Sequence, residues 1–164
     1  GEGVDFSGDI LDPAVQATLR SKGFRCVLLS NMLEHVRDRA AVAAACEAIV
    51  GPGGLILATV PASYPYHADP IDTGFRPSPA ELAAAFPLSR ALHVEELAGA
   101  TFAESIGERG STVWREAART VLWCLAFPIR PKSALARLHL WRWLNEPYRV
   151  SIALLEVRGA DTES

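Results

Sequence analysis

The sequence predicts an α/β fold with a mainly parallel sheet and helices on both faces. Strand patterns alternate with helical patterns along the chain, an order typical of parallel sheets. Two segments, CVLLS (Cys26–Ser30) and LILATV (residues 55–60), are apolar without alternation, which indicates strands covered on both faces. A helical segment of about thirteen residues lies between them, the length that a crossover between adjacent parallel strands needs.

Capping residues define the elements of the first half. Residues 4–7 are short and β-prone. Asp12-Pro13 is typical of an N-cap followed by the first helical residue, and Gly23 is expected to end that helix. Asp38 is expected to cap a second helix, which ends at the turn Gly51-Pro52-Gly53-Gly54.

The second half contains further helix starts. Ser78-Pro79-Ala80-Glu81 is a capping box with proline at the first helical position. Residues 90–97 are predicted as a strand. Ser111 and Ser133 are predicted to cap two helices that run to about residues 127 and 144.

The last segment, residues 149–157, is apolar on both faces. We therefore expect an antiparallel terminal strand that lies inside the sheet and not at its edge. No repeat, low-complexity segment or linker is visible, so residues 1–164 are predicted to belong to one domain. Residues 1–77 would form its core and carry the cofactor and substrate motifs, and residues 78–164 would add its C-terminal helices and strands.

Charge and composition exclude several classes of protein. The formal net charge is −3, so the chain lacks the basic character of a nucleic-acid-binding protein. Its cysteines, Cys26, Cys46 and Cys124, lie in apolar stretches without metal-ligand spacing, as is typical of buried thiols in a reducing compartment. The longest apolar run, residues 121–129, is far shorter than the roughly 20 residues that cross a bilayer. We expect a cytoplasmic protein, and the opening Gly1 suggests a fragment or a processed chain.

Polar residues are concentrated directly after the two apolar strands. Asn31-Met32-Leu33-Glu34-His35 follows the first strand, and a proline-rich loop at residues 61–77 follows the second. In α/β sheets, ligands bind beyond the carboxyl ends of the strands. The sequence therefore predicts an active site at these two strand ends.

The run FRCVLLSNMLEHVRDRAAVAAACEAIVGPGGLILATVP resembles the second half of the class I S-adenosylmethionine-dependent methyltransferase domain, of the type 11 and type 23 kind. Members have a strand ending near Leu-Glu-His, a helix, a Pro-Gly-Gly turn and an apolar strand that ends in proline. Gly8-Asp9-Ile10 resembles the preceding motif, in which the acidic residue binds the adenine amino group. The resemblance implies a Rossmann-like sheet, S-adenosylmethionine as cofactor, and methyl transfer to a small-molecule or glycan-type acceptor.

The chain departs from this family at its N-terminus. The family's first strand, glycine-rich turn, helix and second strand would need roughly 50–60 residues, and only a handful precede Gly8. We therefore expect a fold truncated at the N-terminus that binds the cofactor weakly or not at all. The strand Cys26–Ser30 would also lose its neighbour, and an apolar strand without lysine or proline makes a poor edge. Residues 4–7, a missing N-terminal segment or a second copy of the chain is expected to cover it.

The resemblance implies roles for five residues. Asp9, Ile10, Ser30 and Asn31 would contact the cofactor, and His35 would lie near its methionine part. Histidine titrates near neutral pH, so His35 is the candidate general base for a hydroxyl acceptor. The alternatives are a turn acid at Asp9, a turn residue at Asn31, and a capping or packing role for His35.

The loop after the second apolar strand is predicted to be a substrate lid. Tyrosines would form its walls, and acids or an arginine would anchor polar groups of the substrate. The residues concerned are Tyr64, Tyr66, His67, Asp69, Asp72 and Arg76. The acids and the histidine of this loop are residue types that can bind a divalent metal. Pro65 and Pro70 interrupt any regular ligand geometry, so we expect no metal site. The alternative is an ordered loop fixed by its own hydrogen bonds.

The C-terminal half is rich in tryptophan and arginine, with Trp114, Trp123, Trp141 and Trp143 on two predicted helices. These tryptophans either pack in the core of a substrate-side cap or form a lipid-facing amphipathic surface. Two functions remain open: a methyltransferase, and a catalytically silent methyltransferase-like module that binds a partner protein. A nicotinamide-dependent enzyme is set aside because its glycine fingerprint is missing.

Overall fold

The computed structural model describes residues 5–65, 72–125, 127, 129 and 131–159, except for the side chains of residues 132, 133 and 136. These residues form an α/β fold in which four strands build one sheet, as predicted. In chain order the elements are α1 (Pro13–Ser21), β1 (Cys26–Ser30), α2 (Arg39–Val50), β2 (Leu55–Ser63), α3 (Pro79–Ala84), β3 (Ser89–Thr101), α4 (Phe102–Glu108), α5 (Val113–Leu125), α6 (Pro131–Leu140) and β4 (Pro147–Val157).

The sheet has the strand order β1-β2-β4-β3. β1 and β2 are parallel, with Leu28 opposite Leu57. β4 lies between β2 and β3 and is antiparallel to both. The predicted parallel neighbours and the predicted internal, antiparallel terminal strand are therefore confirmed.

Local side-chain caps begin three helices where the sequence predicts them. The carboxylate of Asp12 accepts the N–H of Ala14, and that of Asp38 accepts the N–H of Ala41. Ser78 and Glu81 form the expected capping box, in which each side chain bonds the other's backbone N–H. These bonds satisfy donors that the first helical turn leaves without partners.

The predicted caps at Ser111 and Ser133 are wrong. α5 begins one residue later than a Ser111 cap would require, because the hydroxyl of Thr112 accepts the N–H of Arg115. Ser133 lies inside α6, which already begins at Pro131, since proline is well suited to the first helical position.

Helix α4 was not predicted from the sequence, and two helices end earlier than predicted. α4 begins at a second capping box, Thr101 with Glu104, a Thr-x-x-Glu pattern that the sequence displays. α5 ends at Leu125, and α6 ends at Leu140, where a 3-10 turn at Trp141–Trp143 follows. A second 3-10 turn, at Leu33–His35, follows β1.

The main core lies between the sheet and helices α2 and α3. Ile56, Ala58 and Val60 alternate along β2 and are fully buried, and Cys46 of α2 and Phe86 after α3 pack in the same cluster. The carboxylate of Glu47 fastens α2 to the start of β3. One of its oxygens accepts the backbone N–H of Leu88 at 2.9 Å and the Ser89 hydroxyl at 2.8 Å.

The expectation that both apolar strands are covered on both faces is wrong for β1. Leu29 is buried, but Cys26, Leu28 and Ser30 on the other face are exposed, and Leu28 is 64% exposed. β2 is the one described strand that pairs with β1, so the predicted free edge is present. Residues 5–7 form no strand, and Val4 lies outside the described residues. The apolar run therefore indicates that both faces of β1 are suited to burial. The described part of the chain contains no segment that buries the second face.

The free edge of β1 predicts self-association. Leu28→Lys should lower the apparent mass of the chain at high concentration, because a charged side chain on an edge strand opposes pairing between copies. Size-exclusion chromatography with light scattering over a concentration series measures this. Leu92→Lys, at an exposed leucine of β3 on the opposite edge of the sheet, is the matched control and should behave like the parent, because the copies pair through β1. A parent chain that stays monomeric throughout would contradict the prediction.

Two of the cysteines, Cys26 and Cys46, should differ in reactivity. Burial raises the pKa of the Cys46 thiol to about 11, with a further contribution from the negative charge of Glu47, whereas Cys26 is exposed. The thiolate is the reactive form, so iodoacetamide near pH 8 should modify Cys26 well before Cys46. Mass-spectrometric peptide mapping checks this, and the difference should vanish in denaturant. Early modification of Cys46 in the folded chain would contradict the packing of α2.

Candidate functional site

The carboxyl ends of β1 and β2 lie side by side because the two strands are parallel. Asn31, the residue after β1, donates its backbone N–H to the carbonyl oxygen of Thr59 in β2 at 3.0 Å. The Thr59 hydroxyl lies 3.4 Å from the side-chain oxygen of Asn31 and 3.3 Å from its backbone nitrogen. The end of β1 is thus fixed against β2 at the edge where α/β sheets bind ligands.

Asn31 adopts a left-handed backbone conformation with φ of 48°, the only positive φ of a non-glycine residue in the described part of the chain. Asparagine tolerates this conformation better than most residues, but it still costs free energy. Backbone strain of this kind is concentrated at ligand and catalytic sites. The strained residue is one that the resemblance places at the cofactor.

The 3-10 turn at Leu33–His35 presents a buried acid beside the candidate base. Glu34 is buried, and its Oε1 lies 3.8 Å from Nε2 of the half-buried His35. Its Oε2 is buried and has no hydrogen-bond partner among the described residues. The sequence analysis gave Glu34 no role, although it is the middle residue of the Leu-Glu-His motif.

The end of the loop after β2 returns to this turn. Thr73 donates its backbone N–H and its hydroxyl to the carbonyl oxygen of Glu34, at 2.9 and 2.8 Å. The Arg39 guanidinium lies 4.4 Å from the centre of the Phe75 ring and contributes a cation–π contact. The structure therefore joins the two segments in which the sequence analysis placed its candidate residues.

Asp72 and Arg76 form an ion pair with a distance of 2.7 Å between Oδ2 and Nη2. The Asp72 side chain is fully buried, and its Oδ1 also accepts the N–H of Gly74. Both side chains therefore help to fix the loop, as the alternative of a self-bonded loop anticipates. Their roles as substrate anchors stay predictions, and Tyr66, His67 and Asp69 lie outside the described residues.

An aromatic pair follows β2. The rings of Tyr64 and Tyr148 lie 4.8 Å apart at an angle of 46°. Burial raises the pKa of Tyr148, and Tyr64 adds to this, while Arg109 and a hydrogen bond with Ser105 act in the opposite direction. The neutral phenol of Tyr148 is therefore favoured. Whether Tyr64 forms a wall for substrate stays a prediction.

The predicted adenine motif forms a tight turn. Asp9 Oδ1 accepts the N–H of Leu11 at 2.9 Å, which leaves the other carboxylate oxygen for a ligand or solvent. Ile10 packs against the main core, as do Val27 and Met32. Ser30 is exposed at the end of β1. The cofactor contacts of Asp9, Ile10, Ser30 and Asn31 stay predictions.

Other features of the surface do not coincide with this site. A depression of about 700 Å³, lined in part by Arg20, Glu47, Leu88 and Arg158, lies at the opposite, amino end of β2. Within the described part of the chain, no three His, Cys, Asp or Glu side chains are placed to hold a metal ion. The polar cluster at the strand ends is therefore the candidate functional site.

Comparisons with known proteins reveal likeness in structure and not in sequence. No family model and no curated protein matches the chain. The crystal structure of the [4+2]-cyclase SpnF matches 84% of this chain with a TM-score of 0.50 and 15% identity, and the chain spans about half (51%) of the SpnF chain. This likeness shows the fold alone.

A second solved structure is also similar to the chain. It is Haemonchus contortus phosphoethanolamine N-methyltransferase 2 in complex with phosphomonomethylethanolamine and S-adenosylhomocysteine. The chain matches it over 83% of its own length and 34% of that protein, with 11% identity and a TM-score of 0.42. A likeness this weak supports no inference about function.

The strain at Asn31 can be measured. Asn31→Ala should unfold more readily than Asn31→Gly, by about 1 kcal/mol, because alanine keeps the steric penalty of the left-handed conformation and glycine does not. Both variants lose the contact with the Thr59 hydroxyl, so their difference is the penalty of the left-handed conformation less the entropy that glycine gains in the unfolded chain. Urea denaturation followed by circular dichroism provides both free energies of unfolding. An alanine variant that is more stable than the glycine variant would show that Asn31 is not strained, because unfolded-state entropy alone favours alanine by about 0.4–1 kcal/mol.

Proposed function

We propose that the chain forms the larger part of a domain with the class I S-adenosylmethionine-dependent methyltransferase fold, and that this domain methylates a small-molecule or glycan-type acceptor. Residues 1–164 would then be one partial domain. The observation that carries the proposal is the strained Asn31, held against Thr59 at the carboxyl end of two parallel strands. A strand end with this geometry is where an α/β sheet places its ligand.

The residues present fit one wall of a cofactor site. Asp9 keeps a free carboxylate oxygen for the adenine amino group, and Ser30 and Asn31 lie at the strand end for the rest of the cofactor. The bound cofactor would supply an electrophilic methyl group on its sulfonium sulfur. The sequence contains no Gly-x-Gly-x-Gly turn to form the opposite wall. We therefore expect binding by these 164 residues to be weak.

His35 would act as general base toward an acceptor hydroxyl, with Glu34 as its positioning residue. An imidazole that accepts the hydroxyl proton becomes positively charged. Glu34 Oε1, at 3.8 Å from Nε2, is close enough to stabilise that charge in a partly buried setting. Alignment of the nucleophile, the methyl carbon and the sulfur would supply most of the rest of the rate enhancement.

The second candidate is a catalytically silent module that binds a partner protein. The free edge of β1 favours it, because an apolar edge strand can pair with an extended segment of another protein. The strained Asn31 and the buried Glu34 beside His35 favour the methyltransferase, since a module that only pairs through its edge requires neither.

Titration with S-adenosylhomocysteine, followed by nuclear magnetic resonance of backbone amides, tests the methyltransferase. We expect shifts at Asp9, Ser30 and Asn31 that saturate only at ligand concentrations well above micromolar. The missing turn removes donors whose hydrogen bonds are worth about 1.5–3 kcal/mol each where charge is involved. Shifts confined to other parts of the chain, or none at all, would overturn the proposal and favour the partner-binding module.

Asp9→Asn sharpens this titration. Asparagine keeps the oxygen that accepts the Leu11 N–H, so the turn is preserved. In the parent, the other carboxylate oxygen would accept a hydrogen bond from the adenine amino group. In the variant, an amide nitrogen takes the place of that oxygen and cannot accept the bond. We expect binding to weaken by about tenfold or more, the loss of one charge-assisted hydrogen bond. Unchanged binding would remove Asp9 from the site while leaving the titration of the parent chain valid.

A further inference from the structure

Helix α5 has its polar face inside and its apolar face outside. Glu116 and Thr120 lie on the buried face. The Glu116 carboxylate pairs with Arg119 at 3.0 Å and with Arg137 of α6 at 3.3 Å. The Thr120 hydroxyl accepts the indole N–H of Trp141 at 3.0 Å. The contacts that attach α5 to α6 and to the following turn are thus largely polar.

The opposite face of α5 carries an exposed stripe of apolar side chains, here called the apolar stripe: Trp114, Ala118, Val121, Leu122 and Leu125. These positions are spaced by four, three, one and three residues, so they lie along one side of the helix. Trp114 is 85% exposed and Leu125 is 74% exposed. A helix on the surface of a soluble protein normally has the reverse arrangement.

The apolar surface continues beyond the stripe. Ile129, after α5, is 83% exposed, and Leu135 and Leu138 of α6 are exposed as well. Monomeric soluble proteins rarely expose contiguous apolar patches larger than a few hundred Å², and larger ones mark interaction sites. Of the two alternatives for the tryptophans of this region, core packing does not hold for Trp114, which is exposed, whereas Trp143 is buried.

The charge of this region is opposite to that of the rest of the chain. Residues 112–143 contain six basic residues and one acidic residue, a formal net charge of +5. The remainder, with ten basic and eighteen acidic residues, has a net charge of −8. The single acid, Glu116, is buried in its ion pairs with Arg119 and Arg137, whereas Arg115 is exposed beside Trp114.

We propose that α5 and α6 dock on the surface of an anionic membrane, with the apolar stripe at the boundary between headgroups and acyl chains and the basic side chains at the lipid phosphates. Exposed apolar area combined with positive charge is what such a surface binds. No described helix has the length and apolar character to cross a bilayer. This inference does not depend on methyl transfer.

Other occupants fit these residues less well. A symmetric dimer through the stripe would place the basic region of one copy against the same region of the other, and like charges oppose that contact. A strand that extends the sheet would pair with the backbone of β1 or β3, the two ends of the strand order, and not with the side chains of a helix. The bond from the indole N–H of Trp143 to the Ser63 hydroxyl, 3.1 Å long, attaches the region at the carboxyl end of β2. Docking would therefore bring the candidate site close to the membrane.

Vesicle flotation tests the proposal with the 164-residue chain. One set of vesicles contains equal parts of phosphatidylcholine and phosphatidylglycerol, and the other contains phosphatidylcholine alone. We expect the chain to float with the anionic vesicles and to bind the neutral ones at least about tenfold less, and we expect high salt to release it. Leu122→Glu and Leu125→Glu should each abolish flotation. Leu92→Glu, at an exposed leucine of β3, is the matched control and should float like the parent.

Three results would overturn the proposal. The first is flotation of Leu122→Glu and Leu125→Glu equal to that of Leu92→Glu, with all three folded by circular dichroism. The second is equal binding of the parent to neutral and anionic vesicles. The third is no vesicle binding together with a dimer that Leu122→Glu dissociates in light scattering, which would assign the stripe to a second copy of the chain.

Discussion

The pairing of β2 on both sides is the constraint on which the rest of the structure depends. Buried backbone N–H and C=O groups need partners, and β2 obtains them from the parallel β1 and the antiparallel β4. The parallel pairing places Asn31 beside Thr59 at the candidate site. The antiparallel pairing makes β4 begin where β2 ends, so α4, α5 and α6, which precede β4, are attached at that same end.

Buried polar side chains hold the surrounding elements to this sheet. Burial of a carboxylate or hydroxyl is costly unless it is hydrogen-bonded, so such groups fix their partners in place. Glu47 joins α2 to the start of β3, and Ser151 of β4 donates its hydroxyl to the carbonyl oxygen of Pro77 at 2.7 Å. Asp72 does the same for the loop through Arg76. Ser151 and Asp72 thus fix the loop beside the site, and Glu34 and Glu47 each retain one carboxylate oxygen without a described partner.

Two regions lack the usual arrangement of a protein surface, and they differ physically. The edge of β1 leaves backbone groups and the apolar side chain of Leu28 exposed, which suits pairing with another strand. The apolar stripe on α5 belongs to a helix whose backbone bonds are already satisfied, so it can offer only side chains. It combines these with an excess of positive charge, which suits a lipid surface better than a strand. The two regions should therefore respond independently to substitution.

The sequence by itself determined the elements whose bonds are local. Asp12, Asp38 and Ser78 cap helices through neighbours within three residues, and the apolar run of β2 places it inside the sheet, so both could be predicted. The same local information was present at Thr101 and Glu104 and was overlooked. Only the tertiary structure decided that Leu28 is exposed, that α5 turns its apolar face outward, and that Asp72 pairs with Arg76. Those outcomes depend on which distant segment packs against a residue. The pattern of residues within one segment does not determine which segment that is.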